Sequence, residues 1–361
     1  MKKKILVVCK SFYPTNGPRA NRATELVKEF ARLGHDVEVL TPKISVHESF
    51  EKENQVNIVD MGTTFLHGAN RSIFKRAIMK TLLVLGIAER YNIPDYFLKN
   101  KIPALLKGKH YDLIVSVAKP HSIHWGVAKA RLSEPKLCKI WVADCGDPFM
   151  GNPFHKYDDS LEKYERLFCK VADYITVPIK DAIPSYFPDF HDKIKVIPQG
   201  FNFENDRQFL AKYSENVIPT FAYAGAFYKD KRDPRTLLEY LVNLEIDFRF
   251  IIYTKNTDLV TPFLNKSQGK IVIKDYVPRH QLLYELSKMD FLININNISS
   301  VQSPSKLIDY FLTERPVLSI NNNQVSSALN DFLNYDFREK YVFPNMSSYD
   351  IRHVANSFLA L

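Results

Sequence analysis

Short apolar runs alternate with amphipathic stretches from one end of this chain to the other, and that alternation limits its fold more than any single motif does. A strand buried on both faces reads as an unbroken apolar run. The helix that returns the chain to a parallel neighbour shows one apolar stripe. The pattern therefore predicts an α/β architecture of parallel sheets with crossover helices. In the first half, strands are expected at Ile5–Cys9, Val37–Leu40, Asn57–Met61, Leu113–Val117, Ile140–Ala143, Tyr174–Val177 and Lys195–Ile197. After the first of them, Ala23, Leu26, Val27 and Phe30 recur at helical spacing over Ala20–Leu33, and Gly34 supplies the stop. The second half repeats the pattern at Phe221–Tyr223, Phe248–Tyr253, Ile271–Ile273, Phe291–Asn294 and Val317–Ile320. With 361 residues there is room for two doubly wound domains, each with its own core. Gln199–Pro219, polar and without periodicity, reads as the linker between a domain over 1–198 and another over 220–345. The stretch 346–361 reads as a C-terminal helix packing back on the first domain. Ligands in such sheets sit beyond the C-terminal strand ends, so two domains facing across a cleft are expected to hold the site.

The net charge is +9, and its distribution says more than its size. Residues 1–110 hold 19 Lys and Arg against 10 Asp and Glu, whereas 111–361 hold 30 of each. Within 71–109 the local charge is +7. There the segment from Arg71 to Arg90 reads as a helix with Ile73, Phe74, Ala77, Ile78, Leu82 and Leu85 on one stripe and Lys75, Arg76 and Lys80 off it. That is the pattern of a helix lying on an anionic membrane surface, and equally of a core-facing helix with a solvated basic back. No nucleic-acid-binding signature accompanies the basic residues, so nucleic acid is not an expected partner. The longest uncharged apolar run, Thr81–Ala88, is far short of the roughly 20 residues that cross a bilayer. The apolar stretch behind Met1–Lys4 is too short for a signal-peptide core, and a cytoplasmic location is expected. The four cysteines form no C-x-x-C pair, which argues against both disulfides and a zinc site. Neither G-x-G-x-x-G nor G-x-x-x-x-G-K-[ST] occurs, which excludes a Walker ATPase and disfavours a dinucleotide dehydrogenase.

Several residues are candidates for chemistry on their own pattern. Ser303 can cap a helix whose first position is Pro304, leaving the amides of Ser305 and Lys306 unpaired at the positive end of the dipole. Such an end binds phosphate, Lys306 adds a cation, and Asp309 one turn on suits a sugar hydroxyl. The same residues also describe an ordinary capped helix. Asn16, Gly17 and Arg19 follow the first strand, where backbone can approach a phosphate, or simply turn. Arg19 and Arg22 at a helix start oppose the dipole, a cost that a bound anion would offset. Asp144 and Asp147 stand where a side chain could orient or deprotonate an acceptor, although Asp147–Pro148 also suits a plain turn. His121 and His124 sit three apart at a helix start with no third ligand, which favours cleft or capping roles over metal binding, His121 being the better site candidate.

Taken in order, six segments resemble the GT-B glycosyltransferases of family 4. QSPSKLIDYFLTERPVLSI is similar to the donor-binding helix, in the variant with Ser-Pro-x-Lys before an acid. YAGAFYKDKRDPRTLLEYL resembles the opening strand and basic loop of the C-terminal domain, and KDYVPRHQLLYELSKMDFLININ its base-binding loop, helix and next strand. VIPQGF, KSFYPTNGPRANRATELVKEFARLGHDVEVLTP, and the pair YDLIVSVAKPHSIHWGVAKA and KIWVADCGDPF resemble segments of the N-terminal domain, the last pair its acceptor-side strands.

The resemblance implies a GT-B fold of two Rossmann-like domains. It further implies a retaining, metal-independent transfer from a nucleotide-diphosphate sugar to a glycan, as in bacterial surface-polysaccharide synthesis, and the basic amphipathic region in the acceptor-side domain points to a lipid-linked acceptor and a place at the inner face of the cell membrane. It assigns the donor to Gly225, Lys231, Arg232, Tyr276, Val277, Ser303, Pro304, Ser305, Lys306 and Asp309. Asp147, Asp144 and His121 go to the catalytic side, and Asn16, Gly17 and Arg19 to a phosphate or acceptor loop. The family's commoner pattern has two acids, of which Val301 replaces the first. Ala226 stands where an arginine is frequent, so the diphosphate cations are expected to be Lys231 or Arg232, with Lys306. The catalytic-side histidine of some members would fall near Gly146. The alternatives are a nucleotide-sugar epimerase or phosphorylase of the same fold, and a non-enzymatic protein binding anionic membrane or nucleic acid.

Overall fold

A computed structural model describes residues 1–15, 17–62, 81–82, 85, 87–91, 95–152, 155–229, 232–296, 305–321 and 326–361. The chain divides into two compact units, Met1–Phe201 with Ser348–Leu361, and Asn202–Ser347.

The first unit is built on strands β1 (Lys4–Cys9), β2 (Asp36–Thr41), β3 (Asn57–Asp60), β4 (Tyr111–Val117), β5 (Cys138–Asp144), β6 (Tyr174–Val177) and β7 (Ile194–Val196). They form one seven-stranded sheet in the order β3-β2-β1-β4-β5-β6-β7, and every pairing is parallel. Ile5, Leu6, Val7 and Val8 are fully buried, as a central strand covered on both faces requires. The helix Pro18–Arg32 starts with proline in its first turn and buries Ala23, Leu26, Val27 and Phe30. Its chain leaves through Gly34, whose φ of 83° is the left-handed value that a helix stop needs. The C-terminal helix Ile351–Leu359, capped by the Asp350 carboxylate accepting from Arg352 N, lays Ile351, Val354, Ala355 and Phe358 into the same core.

The second unit carries β8 (Thr220–Ala224), β9 (Arg249–Tyr253), β10 (Ile271–Lys274), β11 (Phe291–Ile295) and β12 (Val317–Ile320), again all parallel, in the order β10-β9-β8-β11-β12. Strand order reverses between β1 and β4 in one sheet and between β8 and β11 in the other. Loops leaving the C-terminal ends of those strands are the ones a doubly wound sheet offers to ligands.

The stretch expected as a linker differs from that reading. Phe203–Arg207 is a short helix capped by the Asn202 side chain, and the division falls at Phe201. The residues after it are tied to the second unit by the buried Asp290 carboxylate. That group accepts hydrogen bonds from Tyr213 Oη, the Asn216 backbone and side-chain amides and Thr220 N. One acid 70 or more residues away in sequence thus orders a segment that has no apolar periodicity of its own. The basic segment with Lys75, Arg76 and Lys80 lies outside the described residues. Among the described residues, no helix is long and apolar enough to cross a membrane.

Candidate active site

At the C-terminal ends of β8 and β9 the second unit encloses a cavity of about 450 Å³. Its walls come from the loop after β8 (Gly225, Ala226), the end of β9 (Tyr253, Thr254), the loop before the Arg279–Ser287 helix (Tyr276, Val277) and the first turns of the Ser305–Thr313 helix (Lys306, Asp309). Gly225 has a φ of 145°, and a methyl group there would come within 3.3 Å of Tyr223 Oη, so the chain turns out of β8 in a conformation that suits glycine. Tyr223 Oη donates to Ala226 O (3.1 Å), and Tyr310 Oη accepts from Ala224 N (2.9 Å), which pins the end of the strand from both sides.

Lys306 is the group in this cavity whose electrostatics are unsettled. Its Nζ is buried, has no hydrogen-bond partner among the described residues and stands 4.6 Å from the centroid of the Tyr223 ring. Burial, and then the Arg232 guanidinium, hold the amine well below the usual lysine range. A cation over a desolvated ring gains about 2 kcal/mol, whereas taking an unpaired ion from water costs several. The arrangement therefore favours an anion at this point. Arg232, whose Nη1 donates to Ala226 O at 3.3 Å, is the second cation beside it. Asp309 does not neutralise them, because its Oδ1 is engaged by Arg279 (Nε, 2.8 Å), which also binds Asp206 Oδ1 through Nη1 (2.6 Å). Burial raises the Asp309 carboxyl, against the pull of Arg279. On the rim, Tyr276 is 66% exposed with Lys255 Nζ 4.2 Å from its ring. Asn16, Lys231, Ser303 and Pro304 lie outside the described residues, as does the Ser305 side chain.

In the first unit, the loops after β1, β4 and β5 bring Gly17, Arg19, His121 and Asp147 to the C-terminal edge of the sheet. Asp147 is exposed at 55% and pairs with Lys119 at 3.5 Å. His121 is buried, and its Nε2 donates to Asp147 O at 3.2 Å. Burial pushes its pKa down to about 4, which leaves the imidazole neutral near pH 7. His124 belongs to the core: it meets Ser116 Oγ at 2.8 Å and Cys145 Sγ at 3.5 Å.

Asp144, expected on the catalytic side, is held by three side chains of its own unit. It is 2% exposed, and both of its oxygens are occupied. Arg22 binds it through Nη2 (2.9 Å) and Nε (3.2 Å), Arg19 through Nη1 (3.4 Å), and Thr176 Oγ1 donates at 2.7 Å. Burial alone would raise its pKa, but the two guanidinium groups outweigh that and hold it below the usual carboxylate range. Arg22 also donates to the carbonyls of Ile197 and Pro198. The anion that offsets the misplaced arginines of the first helix is therefore internal. Gly146 explains another departure: a side chain there would meet the Arg19 guanidinium at 2.6 Å.

No protein-family model matches the chain, and neither does any curated protein. Solved structures do. A glycosyltransferase from Rickettsia africae ESF-5 matches at 14% identity over 99% of this chain and 94% of that one, with a TM-score of 0.57. HepE of Anabaena, in complex with UDP-glucose, matches at 11% over 99% and 94%, TM-score 0.54. The UDP-GlcNAc 2-epimerase of Neisseria meningitidis, bound to UDP-GlcNAc, matches at 11% over 99% and 98%, TM-score 0.57. The chain has the GT-B fold. At these identities the likeness is one of fold, and within this GT-B chain the arguments for chemistry rest on its own residues. Two groups escaped the sequence reading, Tyr223 beneath Lys306 and Arg279 behind Asp309. Arg279 carried a visible signal, since an arginine in the first turn of a helix opposes the dipole and calls for a nearby acid.

Proposed function

We propose that this chain is a retaining, metal-independent glycosyltransferase. Its donor is a nucleoside-diphosphate hexose and its acceptor a lipid-linked glycan in bacterial surface-polysaccharide assembly, at the inner face of the cell membrane. The observation that carries the donor side is the Lys306 amine at the wall of the second unit's cavity, buried and, among the described residues, without a hydrogen-bond partner. A diphosphate offers that Nζ an acceptor and an opposing charge. As the bond from the sugar's anomeric carbon to the diphosphate oxygen breaks, its electron pair goes to that oxygen, and Lys306, Arg232 and the first amides of the Ser305–Thr313 helix stabilise the charge. The acceptor hydroxyl attacks on the face the leaving group vacates, so the configuration is kept and positioning contributes much of the rate. Asp147, exposed beside Lys119 and His121, is assigned to orienting the acceptor hydroxyl and taking its proton. The excess positive charge of residues 1–110 supports attraction to an anionic membrane.

The neighbours that hold UDP-glucose and UDP-GlcNAc make UDP the first ligand to test. Calorimetric titration with UDP is expected to show binding that Lys306→Met weakens at least ~30-fold, the consequence of removing about 2 kcal/mol of charge pairing. An unchanged affinity, with an intact circular dichroism spectrum, overturns the reading. The epimerase neighbour supports a second reading, which labelled donor without acceptor separates. Slow hydrolysis supports transfer, and isomerised donor supports epimerisation.

A further inference from the structure

We propose that a nucleoside diphosphate enters the second unit's cavity together with a proton from the solvent, and that Lys306 takes up that proton. The inference rests on the donor reading above and concerns what the site must do to receive its ligand. Among the described residues Lys306 Nζ has no hydrogen-bond acceptor, and it is shielded from water, the setting in which an amine is held without its proton. Among the described residues, the groups packed around it do not supply a counter-charge. Arg232 is a second cation, and its charge works against protonation. From β8 comes the Tyr223 phenol, whose pKa burial pushes up to about 12, so it presents a neutral ring. On the lysine's own helix, Tyr310 is a buried phenol that burial likewise raises, and Asp309 is held by Arg279. Of the more distant walls, Tyr253 is raised to about 12 by burial, Tyr228 and Tyr276 add phenols, and Lys255, beside the Tyr276 ring, adds only positive charge.

A diphosphate reverses this balance. Its oxygens give Nζ both an acceptor and an opposing charge, and the amine becomes an ammonium: one proton leaves the buffer and one N–H bond forms. No other atom changes its bonding. Binding and protonation are then linked, so each strengthens the other. The same linkage makes release of the diphosphate product easier as Lys306 gives its proton back.

The test is calorimetric titration of the full chain with UDP at about pH 8, well above the ~6 of a phosphate's second ionisation, so the ligand itself exchanges little. It is run in HEPES and in Tris, whose ionisation enthalpies differ. The slope of observed heat against buffer enthalpy counts the protons. Wild type is expected to take up close to one proton per UDP. Lys306→Arg, permanently charged, is expected to bind with almost none. A second readout needs no variant: wild-type affinity should fall about tenfold per pH unit across the range where the free amine is neutral. Binding without uptake by wild type, equal uptake by Lys306→Arg, or an affinity flat with pH overturns the proposal and leaves the donor reading standing. No binding of UDP, GDP, ADP, CDP or dTDP by wild type overturns both.

Discussion

Replacing Asp144 by alanine separates an anchoring acid from a catalytic one. The substitution leaves the Arg22 guanidinium, itself 2% exposed, without its counter-charge and removes the acceptor of Thr176 Oγ1. Breaking a buried pair from one side costs about 3–5 kcal/mol, and an orphaned hydroxyl adds about 1. Against this stand the carbonyls of Ile197 and Pro198 and the Phe358 ring, 5.0 Å from the guanidinium, worth about 1–2 kcal/mol together. The net expectation is a loss of about 2–5 kcal/mol, against an ordinary total of about 5–15 kcal/mol for a folded domain. The assay is built into the sequence. The chain's two tryptophans are Trp125 and Trp141, both buried in the first unit, so fluorescence during urea unfolding reports that unit alone. Arg22→Met should cost a similar amount. The double variant should recover much of it, because two apolar groups replace a buried pair at little expense. The wild-type pair also has an acid signature. The Asp144 pKa is lowered on folding, so its contribution is present above the ordinary value of 3.8 and lost as pH falls through the lower folded value. If Asp144→Ala unfolds within about 1 kcal/mol of wild type, the anchoring argument is refuted.

Two further outcomes are expected. Gly225→Ala should destabilise the second unit by about 1–3 kcal/mol, seen as an earlier thermal transition by circular dichroism, and should weaken UDP binding; an unchanged transition would mean the backbone there is not held at its φ of 145°. Glu165 is fully buried, accepts from Met150 N at 3.3 Å, and is raised by burial from 4.5 to about 7, so the folded state binds its proton more tightly and stability falls as pH rises from 4.5 through about 7. That shift is worth ~3 kcal/mol, and Glu165→Gln, which keeps an acceptor for Met150 N, should flatten the urea midpoint across this window; an unaltered pH slope contradicts the assignment.

The sheets were legible because parallel strands buried on both faces leave compact apolar runs. Tyr174–Val177 and Val317–Ile320 are strands over the expected residues, and the other ten lie within two residues at either end. The position of Lys306 one turn before an acid was also readable. Its lack of a partner was not, since that depends on Tyr223 and Arg232, which the fold alone brings beneath it. Arg19 and Arg22 showed as misfits against a helix dipole, yet the sequence held no pointer to their anion, which lies 122 residues further on in Arg22's case. Arg279 and Asp290 are similar: each organises groups 30 or more residues away, and long-range charge pairing leaves no local period to detect. The polar stretch after Phe201 looked like a free connector because its order comes from Asp290 rather than from apolar side chains of its own.

A crystal structure of the full chain with UDP tests the central claim most directly. The account predicts the diphosphate in the second unit's cavity, with one of its oxygens within about 3.2 Å of Lys306 Nζ and the base toward Tyr276 and Val277. A diphosphate bound elsewhere, with Lys306 Nζ still buried and unpartnered, would contradict it.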